Sequence, residues 1–201
     1  MKISRLPVGQ MESNCYIVWD EKTHGALIID PGDEAEFITQ KIIENELAPV
    51  AIAATHGHFD HVMAALTLQL AFGIPFYINK EDEFLVQRMR YSAKYFLKTD
   101  PGPQPETVPL GKEFKVTNLE FKIIPVSGHT PGSVCFYNKK EKALFSGDLI
   151  FADGYIGRTD FSYSDKNDLK NSIVKVMELP KDTVVYPGHG TEFELGDFEY
   201  M

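Results

Sequence analysis

Residues 55–61 read Thr-His-Gly-His-Phe-Asp-His, and no other run constrains this chain as strongly. It puts His56, His58, Asp60 and His61 within six positions of a chain that holds only six histidines. Imidazoles and a carboxylate this close together form a donor set for a divalent cation such as zinc, iron or manganese. The run follows 50–54, Val-Ala-Ile-Ala-Ala, which reads as a buried strand. It precedes the apolar stretch 62–70, which reads as a helix. A strand end feeding a helix start is where α/β proteins place their chemistry. His56 and His58, two apart in the turn, converge on one point. Asp60 and His61, where the helix begins, aim elsewhere. One tetrahedral ion takes about four protein ligands at most. Two pairs of donors therefore imply two ions, each completed from elsewhere in the chain.

The flanking segments are of α/β type. Segments 3–8, 14–19 and 25–29 read as a three-stranded meander. Apolar residues at 37, 38, 42, 43 and 47 give 33–46 a helical period, and 76–78 is a further strand. This β-α-β-α-β succession predicts a parallel set of strands from 25 onward, with helices outside it. Residues 80–98 read as one helix or two, followed by the Pro-rich loop 100–105. That excursion is either a substrate wall or a surface segment with its own small core. Beyond it, 114–116 and 119–126 form a hairpin turning at Thr117-Asn118. Strands at 133–137, 142–146 and 183–186 and a helix at 166–177 complete the chain. The expected fold is α/β: two sheets packed face to face with helices outside both, an αββα sandwich. With no linker or break in composition, 1–201 is expected to be one domain.

Charge narrows the partners. Twenty basic against 29 acidic residues give a net charge of −9, which argues against nucleic acid. No apolar run reaches the ~18 residues of a membrane span. Residues 1–6 lack the features of a signal peptide, so a cytoplasmic location is expected. Cys15 and Cys135 lie in apolar stretches and are expected to be core residues rather than a disulfide.

His129, Asp148 and His189 share one feature with the first motif: each follows a strand-like run in a Gly-flanked turn. Glycine lets the chain bend tightly there. If those strand ends share an edge of the sandwich, the ligand count closes. His56, His58 and His129 make one site, and Asp60, His61 and His189 make a second. Asp148, with two carboxylate oxygens, can bridge. Two dications ~3.5–4 Å apart repel, and an anionic bridge offsets much of that.

Together, Thr-His-Gly-His-Phe-Asp-His, Gly-His129-Thr, Gly-Asp148 and Pro-Gly-His189-Gly resemble the metallo-β-lactamase-fold superfamily, and within it the glyoxalase II branch of thioester hydrolases. The resemblance runs from Asp30 to Gly190. It implies the αββα sandwich, a dinuclear site holding two divalent cations (zinc first, iron or manganese as alternatives), and a small-molecule thioester substrate such as S-lactoylglutathione. It also implies that a hydroxide bridging the ions attacks the thioester carbonyl, with Asp60 orienting that water or taking its proton. Asp30 matches an Asp that orients the site from behind its ligands. Arg158 falls where the family has a basic residue facing glutathione, so it is expected to contact substrate or to pair with an acid such as Asp160.

Two departures weaken the glutathione part. The C-terminal helical domain that grips glutathione in full-length glyoxalase II enzymes is not expected after His189. Gly157-Arg158-Thr159-Asp160-Phe161 instead resembles short bacterial glyoxalase II-like hydrolases and persulfide dioxygenases. The rival reading is therefore a mononuclear iron persulfide dioxygenase using His56, His129 and Asp148. A third is a metal-stabilised binding protein without catalysis. β-Lactamase activity is not expected without a signal peptide, nor nuclease activity from so acidic a chain.

Overall fold

The computed structural model describes residues 1–199. The first sheet contains β1 (Lys2–Val8), β2 (Ser13–Trp19), β3 (Gly25–Ile29), β4 (Ala48–Ala53), β5 (Phe76–Ile78) and β6 (Thr107–Pro109), in that spatial order. The second contains β7 (Glu113–Val116), β8 (Leu119–Pro125), β9 (Val134–Asn138), β10 (Ala143–Gly147), β11 (Val184–Pro187) and β12 (Phe193–Glu194), ordered β12-β11-β10-β9-β8-β7. As expected, the meander β1-β2-β3 is antiparallel and β3 to β6 run parallel. In the second sheet β10 and β11 are the parallel pair.

All five residues of β3 are buried, because both faces of the first sheet are covered. Leu27 and Ile29 join Tyr16, Phe121, Phe136 and Phe145 between the sheets. Ile28 and Ile52 face outward, against Ile38 and Ile42 of α1 (Ala35–Glu44), Leu68 of α3 (Ala65–Phe72) and Met89 of α4 (Glu83–Leu97). On the far side α5 (Lys166–Met177) lays Leu169 and Val176 over Leu144 and Val185. This is the expected αββα layering. Both thiols are free and buried, as expected of core cysteines.

One local expectation is corrected, and one strand was not read in the sequence. The helix read over 62–70 is broken: α2 (Phe59–Val62) ends before α3 begins. The reason is competition for its hydrogen bonds. Ser13 Oγ donates to the Asp60 carbonyl, and the Ala64 amide donates instead to Pro31 at 3.0 Å. The helical Ala64-to-Asp60 bond is thus replaced at both ends, and α2 is pinned to the first sheet. Secondly, β6 carries no strand signal. It has three residues ending in Pro109 and pairs only with β5, at the sheet edge, where proline is tolerated.

Candidate metal centre

Strand topology delivers the site. Asp30 follows β3, His56 and His58 follow β4, His129 follows β8, Asp148 follows β10 and His189 follows β11, while Asp60 and His61 ride on α2. His24, the remaining histidine, is exposed, with its ring Nδ1 3.3 Å from the Glu46 carbonyl. Every residue expected as a ligand lies in one cluster.

Within it the donors form two groups. His58 Nδ1 is 3.1 Å from His56 Nε2 and 3.0 Å from His129 Nε2. Asp60 Oδ2 is 3.5 Å from His61 Nε2 and 3.4 Å from His189 Nε2. Asp148 stands between them. Its Oδ2 is 3.6 Å from His129 Nε2 and 3.8 Å from His189 Nε2, and its Oδ1 is 3.6 Å from His61 Nε2. Ligands on a tetrahedral ion with ~2.0–2.1 Å bonds sit about 3.3 Å apart, so both groups have the spacing of a coordination shell.

Hydrogen bonds from behind decide which ring nitrogen faces inward. His129 Nδ1 meets the Arg158 carbonyl at 2.9 Å and His189 Nδ1 meets the Met11 carbonyl at 3.1 Å. A carbonyl only accepts, so both Nδ1 atoms carry the hydrogen and both Nε2 atoms present lone pairs. The Asp30 carboxylate accepts from Thr55 Oγ1 at 2.6 Å and from His61 Nδ1 at 3.1 Å. Thr55 has spent its only hydrogen there, so at 3.0 Å it must accept from His56 Nδ1. In the neutral, metal-binding form of the rings, all four Nε2 atoms therefore present lone pairs inward, those of His56 and His129 toward His58 Nδ1 and those of His61 and His189 toward the Asp60 carboxylate. His61 Nε2 and Asp148 Oδ1 are buried with no hydrogen-bond partner among the described residues. Such a set is satisfied by cations, and the residues present fit a pair of divalent ions.

Electrostatics agree. Burial, reinforced by the neighbouring imidazoles, pushes His56 well below the usual histidine range and His58 down to about 3. Burial also disfavours charge on His61, but Asp60, Asp148 and Asp30 outweigh it and raise the ring to about 10. Burial would likewise raise Asp60, yet His61, His189 and His58 hold it well below the ordinary carboxylate range. The second group thus calls for positive charge more strongly than the first.

The donors open into a pocket of about 360 Å³ walled by Met11, Leu85, Phe96, Phe151, Ile156 and Phe161. Leu85 and Phe96 belong to α4, so the 80–98 excursion does form a wall. Arg158 lines the mouth but spends Nε and Nη2 on Asp160, at 2.7 and 2.6 Å, with its plane 4.6 Å above the Phe161 ring. Of the two sequence alternatives for Arg158, the pairing with an acid is present, while the side chain also borders the pocket. A larger groove of about 990 Å³ runs along β7 and β8 and is lined by no histidine or aspartate.

The sequence profile of the metallo-β-lactamase superfamily matches residues 8–189, almost the whole path from β1 to the last histidine of the site. The chain belongs to this superfamily. It is 37% identical over 201 residues to hydroxyacylglutathione hydrolase GloC of Haemophilus influenzae, covering 98% of this chain and 94% of that one. Among solved structures, TTHA1623 in a di-iron-bound form superposes with a TM-score of 0.89 at 34% identity, covering 96% of each chain. BLEG-1 B3 metallo-β-lactamase does so with a TM-score of 0.88 at 31% identity, covering 98% of this chain and 95% of that one. In this superfamily divalent metals occupy a His-rich site.

Two residues that touch this site escaped the sequence reading. Asp82 is fully buried. Its Oδ2 accepts from the Gly57 amide at 2.9 Å and from Thr130 Oγ1 at 2.6 Å, and its Oδ1 accepts from the Gly132 amide at 2.7 Å. It buckles the His56–His58 loop to the His129 loop from the start of α4. In sequence it reads as an ordinary acid at a helix N-terminus. Tyr163 Oη lies 2.8 Å from His58 Nε2. Its signal was weak: aromatic residues in a polar loop. Gly188 is also required, since a Cβ there would stand 2.1 Å from Asp148 Oδ1.

Proposed function

We propose that this protein is a metal-dependent hydrolase of small thioesters, glyoxalase II-like, acting on S-lactoylglutathione or a related hydroxyacyl thioester. The observation that carries the reading is Asp148, whose carboxylate stands between the donor groups, Oδ2 being 3.6 Å from His129 Nε2 in one and 3.8 Å from His189 Nε2 in the other. The similarity to GloC supports the reaction class.

His56, His58 and His129 would hold one divalent cation and Asp60, His61 and His189 the other, with Asp148 shared. Zinc suits this nitrogen and oxygen set, and so does iron. Cations bound there supply Lewis acidity and make water nucleophilic at neutral pH. Asp60, lining the pocket and kept ionised by its imidazole neighbours, accepts a hydrogen bond from the attacking water and orients it. The apolar wall from Met11 to Phe161 excludes bulk water and strengthens every charge–dipole contact inside. Among the described residues, no lysine or glutamate lines the pocket, and its two aspartates face imidazoles. A thiolate departs without protonation, whereas an amine does not. That favours a thioester over an amide.

The persulfide dioxygenase alternative uses only His56, His129 and Asp148, and leaves Asp60, His61 and His189 without work despite their ligand-like spacing. Metal-loaded protein assayed against lactoylglutathione, a simpler thioester, a glutathione persulfide under oxygen and a cephalosporin separates the readings. Thioester cleavage alone is expected. Oxygen uptake with the persulfide and no thioester cleavage would overturn the proposal.

A further inference from the structure

Tyr163 is half-buried in the loop between β10 and α5, and it lines the same pocket as the donor groups. Its ring stacks on Phe161, with centroids 5.2 Å apart and planes at 10°, and meets the edge of Phe84 at 5.5 Å. The phenol is thereby fixed with Oη 2.8 Å from His58 Nε2. His58 differs from the other four imidazoles of the site: it turns Nδ1 inward, and its outer partner is a phenol that lines the pocket.

We propose that Tyr163 couples His58 to the substrate. It accepts the Nε2–H hydrogen bond of His58 and thereby offers its own hydroxyl hydrogen to the pocket. A neutral imidazole carries one N–H. When His58 faces a cation through Nδ1, that nitrogen needs its lone pair, so the hydrogen sits on Nε2 and the phenol oxygen must accept it. The Tyr163 hydrogen is then released and can donate to a substrate oxygen or to the departing sulfur. Without a cation the sense reverses. His56 Nε2 and His129 Nε2 present lone pairs to His58 Nδ1, which then holds the hydrogen, and Tyr163 donates to Nε2. The substrate-facing donor is therefore available only when the first donor group is filled. The substrate half of this inference rests on the thioester reading; the His58 half does not.

Tyr163→Phe tests it, since only an oxygen is removed from a half-exposed ring. The first readout is zinc titration against a competing chelator. The affinity of the first donor group should fall about 10–100-fold, as for loss of an outer partner of a ligating histidine. The second is turnover of a lactoyl thioester at saturating zinc. There kcat should fall roughly tenfold or more with KM little changed, the pattern of a contact made in the transition state. Nitrogen-15 spectra of the zinc-loaded parent should place the His58 hydrogen on Nε2. Parental zinc affinity in the variant, or a hydrogen on Nδ1, overturns the His58 bond. Parental kcat at saturating zinc overturns the donor role. A parent that cleaves no thioester contradicts the proposed function instead, and the zinc titration and spectra still decide the His58 bond.

Discussion

Asp30 Oδ2 lies 3.1 Å from His61 Nδ1, and the same oxygen holds Thr55 Oγ1, which in turn holds His56. One buried carboxylate thus sets the tautomer of a histidine in each donor group. Its left-handed backbone, φ 52°, lets the chain leave β3 with the side chain turned back under both loops.

Asp30→Asn should therefore weaken both metals together. An amide has one acceptor and two donors, so it cannot receive the Thr55 amide, the Thr55 hydroxyl and the His61 ring at once. Metal affinity at both groups should drop about 10–100-fold, read by chelator competition.

His61→Ala should leave His56, His58 and His129 spaced as before and remove the second group. Metal content should fall to one per chain and thioester turnover should be lost. A persulfide dioxygenase would be largely spared by this change.

The metal-free chain should lose stability with rising pH. His61 is raised to about 10 in the fold, against ~6.5 for a free imidazole. A group raised on folding stabilises fully below its unfolded value, and that contribution fades as pH climbs through the folded value. The thermal midpoint of metal-free protein should therefore fall between pH ~6.5 and about 10 through this group. Zinc, which replaces the proton, should flatten the decline.

Asp82→Ala should destabilise the fold and loosen the first group. It strands the Gly57 and Gly132 amides, at about 1–3 kcal/mol for each buried unsatisfied group, and leaves the Thr130 hydroxyl to Ser133 Oγ, 2.6 Å away. Chemical denaturation of the metal-free variant should show the loss.

The layering was legible because β3 and β4 are short continuous apolar runs, α5 carries a helical pattern, and the parallel register follows from β-α-β order. That His56, His58, Asp60, His61, His129, Asp148 and His189 gather in one cluster was legible because metal chemistry restricts residue type and strand ends restrict place. What stayed hidden are the side chains that act on those donors. Asp82 and Tyr163 bind groups 25 and 105 positions away, and such partners leave no local pattern. The break between α2 and α3 was hidden for the same reason: Ser13 comes from β2 and Pro31 from the turn after β3.

The most direct test is the metal content of the purified chain after dialysis against zinc, measured by elemental analysis. Two ions per chain, falling to one in His61→Ala, is the expected result. A single ion per chain, bound equally well by parent and His61→Ala, would contradict the shared role given to Asp148.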